Sequence, residues 1–187
     1  MHHVPNDLRA KKSVESITQG LYKTLQDKPF NAVRVNDIYM KTGVSRSTFY
    51  RLFDTVYDVL LCQCDKIMDE VLEACSTKNF ANKREMSLYC AKLWLKRDGL
   101  IKVMVENHLS GLIYESIMNH KECLKLFYSM DYQSDPQVDY LVNYIVSLIF
   151  TSFTIFYKEK GQKSIEETIE ISSQLMMSIV NAWGIGQ

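Results

Sequence analysis

The sequence predicts an all-α protein, and three observations point to that class. Apolar residues recur at intervals of three and four along most of the 187-residue chain, which is the periodicity of amphipathic helices. Only three prolines and seven glycines are present, so few residues interrupt helices. Alternation of apolar and polar residues, the pattern of a half-buried strand, does not persist anywhere along the chain.

The first four helices can be placed from their start and stop signals. We expect them at about 8–26, 35–42, 45–52 and 54–76. Gly43 lies in the turn between the second and third helices, and Asp54 is the expected N-cap of the fourth.

Polar pairs predict the starts of the later helices. Asn82 with Glu85 and Ser164 with Glu167 have the spacing of capping boxes. Asp135-Pro136 supplies a cap followed by a proline at the first helical position. The later helices are then expected at about 82–97, 100–119, 121–130, 136–160 and 164–183.

Composition narrows the class of protein. A hydrophobic share of 47% and a charged share of 24% are usual for a folded globular chain. The five cysteines form no CxxC pair and no disulfide framework, so we expect reduced thiols in a cytoplasmic protein. The N-terminal stretch has no apolar segment of the kind found in signal peptides, and His2-His3 is interpreted as a tail.

Basic residues are concentrated in the first third of a chain whose net charge is zero. Residues 1–60 carry nine basic and six acidic side chains, and the remaining 127 residues carry 13 and 16. A local basic face on a neutral protein fits a nucleic-acid-binding module joined to a neutral body. The alternative is that an excess of three basic residues in the first 60 positions arises by chance.

The segment 33–53 has the pattern of a helix-turn-helix, in which two short helices flank a glycine. Four apolar residues are spaced to face inward: Val35, Ile38, Phe49 and Leu52. With Ser45 as its N-cap, the second helix then exposes four residues: Arg46, Ser47, Tyr50 and Arg51. These side chains suit a helix that lies in the major groove of DNA, where arginine binds guanine and hydroxyls reach bases or phosphates.

This segment resembles the N-terminal domain of the TetR family of transcriptional regulators. The stretch DIYMKTGVSRSTFYRLF follows the family pattern D-I-A-x-x-A-G-V-S-x-x-T-x-Y-x-x-F, and the resemblance extends over residues 9–60. The matching residues are Asp37, Ile38, Gly43, Val44, Ser45, Thr48, Tyr50 and Phe53.

The resemblance implies a fold and a function. It implies a three-helix DNA-binding domain at 1–53 and a helical effector-binding and dimerisation domain at 54–187, with the helix at 54–76 shared between them. The implied function is that of a one-component regulator, a repressor that binds a palindromic operator as a homodimer. A small-molecule effector would release it from double-stranded DNA.

The resemblance also implies roles for individual residues. Bases or nearby phosphates would be contacted by Arg46, Ser47 and Thr48, next to the cap Ser45, and the DNA backbone by Tyr50 and Arg51. Flanking phosphates would be contacted by Arg34, Lys11 and Lys12. The alternative for these last three residues is an ordinary solvated face.

Departures from the family pattern leave a second function open. Tyr39 and Thr42 replace small residues, so we expect the packing between the two short helices to open slightly. Val56 stands where the family often has a phosphate-contacting lysine, and Asp54 would repel phosphate. The alternative is therefore a TetR-like co-regulator whose helix-turn-helix contacts a partner protein instead of DNA.

The last two helices, at 136–158 and 164–183, are unusually apolar. The uncharged stretch 140–157 just reaches the length of a membrane span. It contains several polar residues, so we expect a helix buried on most sides and no membrane association. Phe150 and Ile155 lie outside the apolar stripe of the first of these helices, so a second surface is needed to bury them. This favours a homodimer that forms through the two helices. The alternative is a monomer whose core surrounds both faces.

The expected effector is a small apolar or aromatic molecule, since aromatic residues and methionines are the pocket candidates. They are Tyr89, Trp94, Met104, His108, Tyr114, Phe127, Tyr144 and Phe150. For each of these residues the alternative is plain core packing or, for His108, a surface position.

Enzyme motifs are absent from the sequence. It shows no GxSxG, no phosphate loop, no paired carboxylates in a defined motif and no metal-ligand spacing. We therefore expect no catalytic residues, no metal and no cofactor. A redox sensor built on the cysteines remains an alternative that depends on thiol pKa values, which the sequence does not reveal.

Overall fold

Ten α-helices and no β-strand make up the computed structural model over the residues that it describes, which are 2–128, 137–159 and 162–182. The all-α prediction is therefore confirmed. The helices are α1 Leu8–Leu25, α2 Val35–Thr42, α3 Arg46–Leu52, α4 Val56–Thr77, α5 Lys83–Leu95, α6 Asp98–Glu106, α7 Gly111–Asn119, α8 Glu122–Tyr128, α9 Val138–Lys158 and α10 Ile165–Ala182.

The helices form two compact units. The first unit runs up to Asp69 and also includes Gly111–His120, so it contains α1–α3, most of α4, and α7. The second contains Glu70–Ser110 and the described residues from Lys121 onward. Helix α4 contributes to both units. The functional boundary after residue 53 stays a prediction.

Close packing of α2 on α1 depends on Gly20. A Cβ atom at this position would lie 2.2 Å from Thr42 Cγ2 and 3.1 Å from the Ile38 carbonyl oxygen. The methyl group of Thr42, which we expected to open the packing between α2 and α3, packs instead on Gly20 of α1. The Thr42 hydroxyl donates to the Ile38 carbonyl (3.0 Å) and accepts from the Val44 amide (3.2 Å).

Helix α9 buries one face within the second unit, where it packs against α6 and α10. Tyr140 and Tyr144 on its other side are 72% and 71% exposed. Among the described residues, α9 is the one helix long and apolar enough to span a membrane, and 28% of its most apolar window is buried. The expectation that this helix is buried on most sides is wrong for the single chain.

Two helix junctions differ from the prediction. One helix was expected over 100–119, but α6 ends at Glu106 and α7 begins at Gly111. His108 takes a left-handed conformation with φ 55°, and the Leu109 amide donates to the Met104 carbonyl at 2.9 Å. This is a Schellman motif, in which the left-handed position is usually glycine. Upstream, α5 ends at Leu95, two residues before the expected end at residue 97, and α6 begins at Asp98.

The caps at two other starts are as expected, and a third differs. Glu85 N–H donates to the Asn82 side chain at 2.9 Å. Ser164 and Glu167 form a reciprocal box at 2.8 and 3.1 Å. At α4, Thr55 rather than Asp54 makes the capping box, because its amide donates to Asp58 Oδ2 at 2.8 Å and its hydroxyl accepts from the Asp58 amide at 3.3 Å.

The segment before α1 is attached to the first unit. The His3 amide donates to the Leu52 carbonyl at 2.8 Å, and His2 pairs with Phe53 in an isolated β-bridge. His2 Nε2 also lies 2.7 Å from Asp65 Oδ2. The interpretation of His2-His3 as a tail is therefore wrong. The predicted start signal Asp135-Pro136 lies outside the described residues, as do residues 160 and 183, where the last two helices were expected to end.

Candidate nucleic-acid interface

The turn between α2 and α3 is formed by Gly43. Its φ is 69°, in the left-handed region, and its amide donates to the Tyr39 carbonyl at 2.9 Å. No atom lies within 4 Å of the place where a Cβ would be. Glycine is therefore required here by backbone conformation and not by lack of space.

Replacing Gly43 by alanine is expected to lower the free energy of unfolding by about 1 kcal/mol, because an L-residue pays roughly that amount in the left-handed region. Gly43→Asn is the matched control, since asparagine tolerates this conformation better. Urea unfolding of both variants measures the difference. An alanine variant as stable as the parent would contradict the conformational argument.

The start of α3 is organised around the Ser45 hydroxyl. Its oxygen accepts from the Thr48 amide at 3.1 Å, which makes Ser45 the N-cap as predicted. The hydroxyls of Ser47 and Thr48 each lie 2.9 Å from the same oxygen. Three hydroxyl groups thus meet at the N-terminal end of α3, where each can exchange its internal hydrogen bond for one to a ligand.

The outer face of α3 is basic and aromatic. The Arg46 guanidinium lies over the Tyr50 ring, 5.5 Å from its centroid. This is a cation–π contact between residues that are one helical turn apart. Arg51 is also exposed, in the last turn. On the inner face Phe49 and Leu52 are buried. Their packing in the core fixes the position of α3 and therefore the direction of its outward side chains.

Arg34 occupies the N-cap position of α2, and its side chain is exposed. Its amide donates to Asp37 Oδ2 at 2.8 Å, and Asp37 also pairs with Lys28 at 2.9 Å. The Arg34 amide and then Lys28 hold the pKa of the Asp37 carboxyl below its usual range. Asp37 is thus occupied in capping α2.

Helix α1 adds a basic groove whose lining includes Lys12, one of the residues predicted to contact DNA. The open groove measures about 410 Å³ and is lined by Leu8, Arg9, Lys12, Ser13, Ser16 and Val44. Arg9 was not among the predicted site residues. Its spacing of three from Lys12 places both on one face of the helix, and this spacing could have identified it. Lys11 is exposed but does not line the groove.

Ion pairing leaves part of the positive charge of the first unit uncompensated. Lys28 pairs with Asp37, and Lys41 pairs with Asp27. Within the described part of the chain, eight exposed basic side chains of this unit have no carboxylate within ion-pair distance: Arg9, Lys11, Lys12, Lys23, Arg34, Arg46, Arg51 and Lys66. Six of these eight lie in the helix-turn-helix or in the first turns of α1, all except Lys23 and Lys66. The helix-turn-helix and the start of α1 therefore carry a local positive charge that a polyanion can neutralise.

Asp54 and Val56, which depart from the family pattern, lie at the start of α4. Asp54 Oδ1 lies 3.3 Å from His3 Nε2, and both side chains are about half exposed. Val56 is half-buried and begins α4. Neither residue supplies a cation at this end of the helix-turn-helix.

The predicted effector-pocket residues are dispersed. Trp94 and Met104 are buried in the second unit, and Trp94 contacts Phe153 with ring centroids 6.1 Å apart. Tyr89 and Phe150 are half-buried, while His108 and Tyr144 are exposed. Tyr114 is half-buried in the first unit, and the side chain of Phe127 lies outside the described part. The effector pocket stays a prediction.

Solved structures share this fold at low sequence identity. Lin0861 from Listeria innocua superimposes with a TM-score of 0.75 at 16% identity, covering 95% of this chain and 97% of that one. A TetR transcriptional regulator from Streptococcus agalactiae 2603V superimposes with a TM-score of 0.57 at 14% identity, covering 88% and 93%. The chain therefore has the all-α fold of a TetR-type regulator.

Sequence comparison adds no relative to this structural likeness. No protein-family model matches the chain, and no curated protein matches it.

Proposed function

We propose that this protein is a transcriptional regulator that binds a palindromic DNA operator as a homodimer. The observation that carries the proposal is the outer face of α3, where Arg46 and Arg51 are exposed without an ion-pair partner among the described residues. A short helix that follows a glycine turn and presents such side chains suits the major groove. This function requires no catalytic centre, metal or cofactor.

Each element of the first unit has a distinct role in this proposal. Arg46 reads a guanine through its two parallel N–H donors, with Ser47 and Thr48 at neighbouring bases or phosphates. Tyr50 and Arg51 bind the DNA backbone. The flanking phosphates are bound by Arg34 and by the basic residues of α1: Arg9, Lys11 and Lys12. Phosphate contacts fix the register of the protein, and base contacts supply the specificity.

The homodimer is proposed to form through α9 and α10. Two half-sites of an operator need two recognition helices, which a symmetric pair of chains supplies. Tyr140 and Tyr144 on α9, and Leu175 on α10, are more than half exposed, while Ile171 is 43% exposed. We infer that these side chains form a contiguous apolar patch, which is the kind of surface that marks a protein–protein interface.

Leu175→Glu is expected to shift the protein from dimer to monomer, because a carboxylate at the centre of an apolar interface is left without solvent or a partner. Sedimentation velocity measures the mass. Glu167→Gln, at an exposed cap position of the same helix, is the control and should stay dimeric. A monomeric parent protein, or a dimeric Leu175→Glu variant, would contradict this interface.

Regulation is proposed to be repression, relieved by a small apolar or aromatic effector in the second unit. Such an effector must bind the DNA-free state more tightly than the DNA-bound state, since only differential affinity shifts the equilibrium. We place this activity in the cytoplasm, away from any membrane.

Selection of binding sites from a random duplex library tests the proposal, because the library contains every candidate half-site. We expect enrichment of an inverted repeat whose half-sites are spaced by about one helical turn or a multiple of it. The Arg46→Ala protein, selected in parallel, should lose the preference at one position in each half-site. Failure of the parent protein to enrich any sequence would overturn the proposal.

A further inference from the structure

Residues 2 and 3, which precede α1, are bound to the end of α3. The His3 amide donates to the Leu52 carbonyl at 2.8 Å, and His2 pairs with Phe53 in an isolated β-bridge. Leu52 is the last residue of α3 and Phe53 is its C-cap, and both side chains are fully buried. The N-terminal segment therefore contacts the same short helix that carries the candidate base-contacting side chains.

The His2 side chain continues this contact to α4. Its Nε2 lies 2.7 Å from Oδ2 of Asp65, a residue of α4 that is 7% exposed. The side-chain amide of Asn119, the last residue of α7, donates to the same oxygen at 3.2 Å. One buried carboxylate oxygen thus receives hydrogen bonds from the N-terminal segment and from α7. All three residues belong to the first unit.

The hydrogen bonds at Asp65 are those of a buried, ionised carboxylate. Burial acts to raise the pKa of this carboxyl, but hydrogen bonds, led by the one from His2, outweigh burial and hold the pKa below its usual range. An ionised carboxylate only accepts hydrogen bonds, so the facing nitrogen of His2 is the donor. The His120 imidazole lies 3.8 Å from the other carboxylate oxygen. Removal of a donor leaves a buried charge with fewer partners, which disturbs the site more than the loss of an exposed hydrogen bond would.

Helix α7 also contacts α4 away from this carboxylate. The Tyr57 hydroxyl of α4 donates to Glu115 Oε1 of α7 at 3.1 Å. This contact does not involve residues 2 and 3. Loss of the Asn119 amide group therefore removes the hydrogen bond from α7 to Asp65 without detaching α7 from α4.

The chain connects α7 to the second unit at both ends. Residues 111–120 belong to the first unit, whereas Ser110 before them and Lys121 after them belong to the second. A rearrangement of the second unit that moves these two neighbours must therefore move α7 or strain its contacts. Asn119 lies two residues before Lys121, so its hydrogen bond to Asp65 is close to one of the points where such a movement enters.

The orientation of α3 depends on tertiary contacts because the helix is short. It has seven residues, and a helix of that length is not stable alone in water. Phe49 and Leu52 hold its inner face in the core, and residues 2 and 3 hold its end. Side chains that read bases must be held within about 0.5 Å of their productive positions, so loosening the end of α3 should lower the affinity for DNA.

We propose that His2 and Asp65 are positioning residues that hold the recognition helix α3 in place, and that Asn119 makes this hold depend on the position of α7. The torsion that rotates an aspartate carboxylate is soft, and the amide of Asn119 fixes the oxygen that receives His2. When α7 moves and withdraws this amide, the carboxylate rotates, the His2 contact loosens and the end of α3 gains freedom. The inference rests on the proposed function, because it supplies a route by which an effector in the second unit lowers the affinity for DNA.

Hydrogen–deuterium exchange of the full-length protein tests the inference without DNA. We expect the amides of residues 49–53 to exchange at least about tenfold faster in His2→Ala and in Asn119→Ala, because each variant loses a hydrogen bond to a charged group. The double variant should exchange no faster than the faster single variant, since both substitutions break one linked contact. Gln19→Ala removes an exposed amide from α1 of the same unit and should exchange as the parent does.

The exchange pattern separates positioning from a general loss of stability. Amides of α9, in the second unit, should keep the parent rates in every variant, and faster exchange there as well would overturn the inference. So would unchanged exchange of residues 49–53 in Asn119→Ala, or effects of the two substitutions that simply multiply. His2 lies outside every helix, so His2→Ala keeps the test decisive if Asn119→Ala does not fold. Unchanged exchange in His2→Ala also overturns the inference.

Binding to the selected duplex distinguishes a positioning residue from a base-contacting one. Asn119→Ala should weaken binding several-fold and keep the sequence preference of the parent, whereas Arg46→Ala should lose the preference at one position. Unchanged affinity together with faster exchange in α3 would overturn the link to DNA affinity. If the parent protein binds no duplex, the proposed function fails, and the exchange result alone decides whether α7 is linked to α3.

Discussion

Arg46→Ala is expected to weaken operator binding by about 1–3 kcal/mol, which corresponds to roughly 5- to 150-fold in Kd. Arg46 is exposed near the start of α3 and is held over the Tyr50 ring. Its planar guanidinium is thus positioned in advance to bind a guanine edge with two hydrogen bonds. Fluorescence anisotropy with the selected duplex measures the loss.

Two control variants show whether the loss comes from the paired hydrogen bonds of Arg46 or from its positive charge. Arg46→Lys keeps the charge but cannot make the paired hydrogen bonds, so it should lose sequence preference while keeping most non-specific affinity. Lys96→Ala removes an exposed cation from the second unit and should bind as the parent does. Unchanged specific affinity in Arg46→Ala would remove this residue from the interface.

Gly20→Ala is expected to destabilise the first unit by about 1–3 kcal/mol, the usual cost of inserting a methylene into a packed contact. The new Cβ would stand 2.2 Å from Thr42 Cγ2 and 3.1 Å from a backbone oxygen of α2. Alanine favours a helix over glycine by about 1 kcal/mol, so the measured loss is what remains after that gain. Urea unfolding monitored by circular dichroism gives the difference.

Thr42→Ala supplies the matched test of this contact. Removal of the Thr42 methyl takes away the nearest clashing atom, so the double variant should recover part of the stability that Gly20→Ala loses. The backbone oxygen of Ile38 stays close, so recovery should be incomplete. If the two substitutions are simply additive, Gly20 and Thr42 do not form the contact between α1 and α2.

Features with a local physical cause were predicted well. The bounds of α2 are as expected because Asp37 caps its start and Gly43 ends it, both through hydrogen bonds to near neighbours. Ser45 at the start of α3 and the pair Ser164 and Glu167 at the start of α10 are local signals of the same kind.

Features that depend on distant residues were missed. From the sequence, Gly20 is only a residue of low helix propensity within α1. Its role in close packing is visible only when α2 lies beside it. The turn at His108 uses a left-handed residue other than glycine, and the sequence has no glycine there to mark it. Thr55 and Asp54 are both good caps, and the position of Asp58 decides between them.

The structure gives the positions of the nine residues that were expected to contact DNA, and their role stays a prediction. Six of these nine residues are exposed on α1 or α3: Lys11, Lys12, Arg46, Ser47, Tyr50 and Arg51. Thr48 of α3 is half-buried. Ser45 and Arg34 are the caps beside them. The sequence does not distinguish effector-binding residues from core residues, because aromatic residues that pack a core and those that line a pocket have the same spacing. Their roles, like the DNA contacts, stay predictions.

Recognition of a DNA sequence by the first unit can be measured as salt-dependent binding. Anisotropy is measured with the selected duplex and with a scrambled duplex of equal length, over a range of salt concentrations. We expect tighter binding to the selected duplex and a steep linear fall of log affinity with log salt, because phosphate contacts release counterions. Equally weak binding to both duplexes, with no salt dependence, would contradict DNA recognition by the first unit and favour a protein partner for the helix-turn-helix.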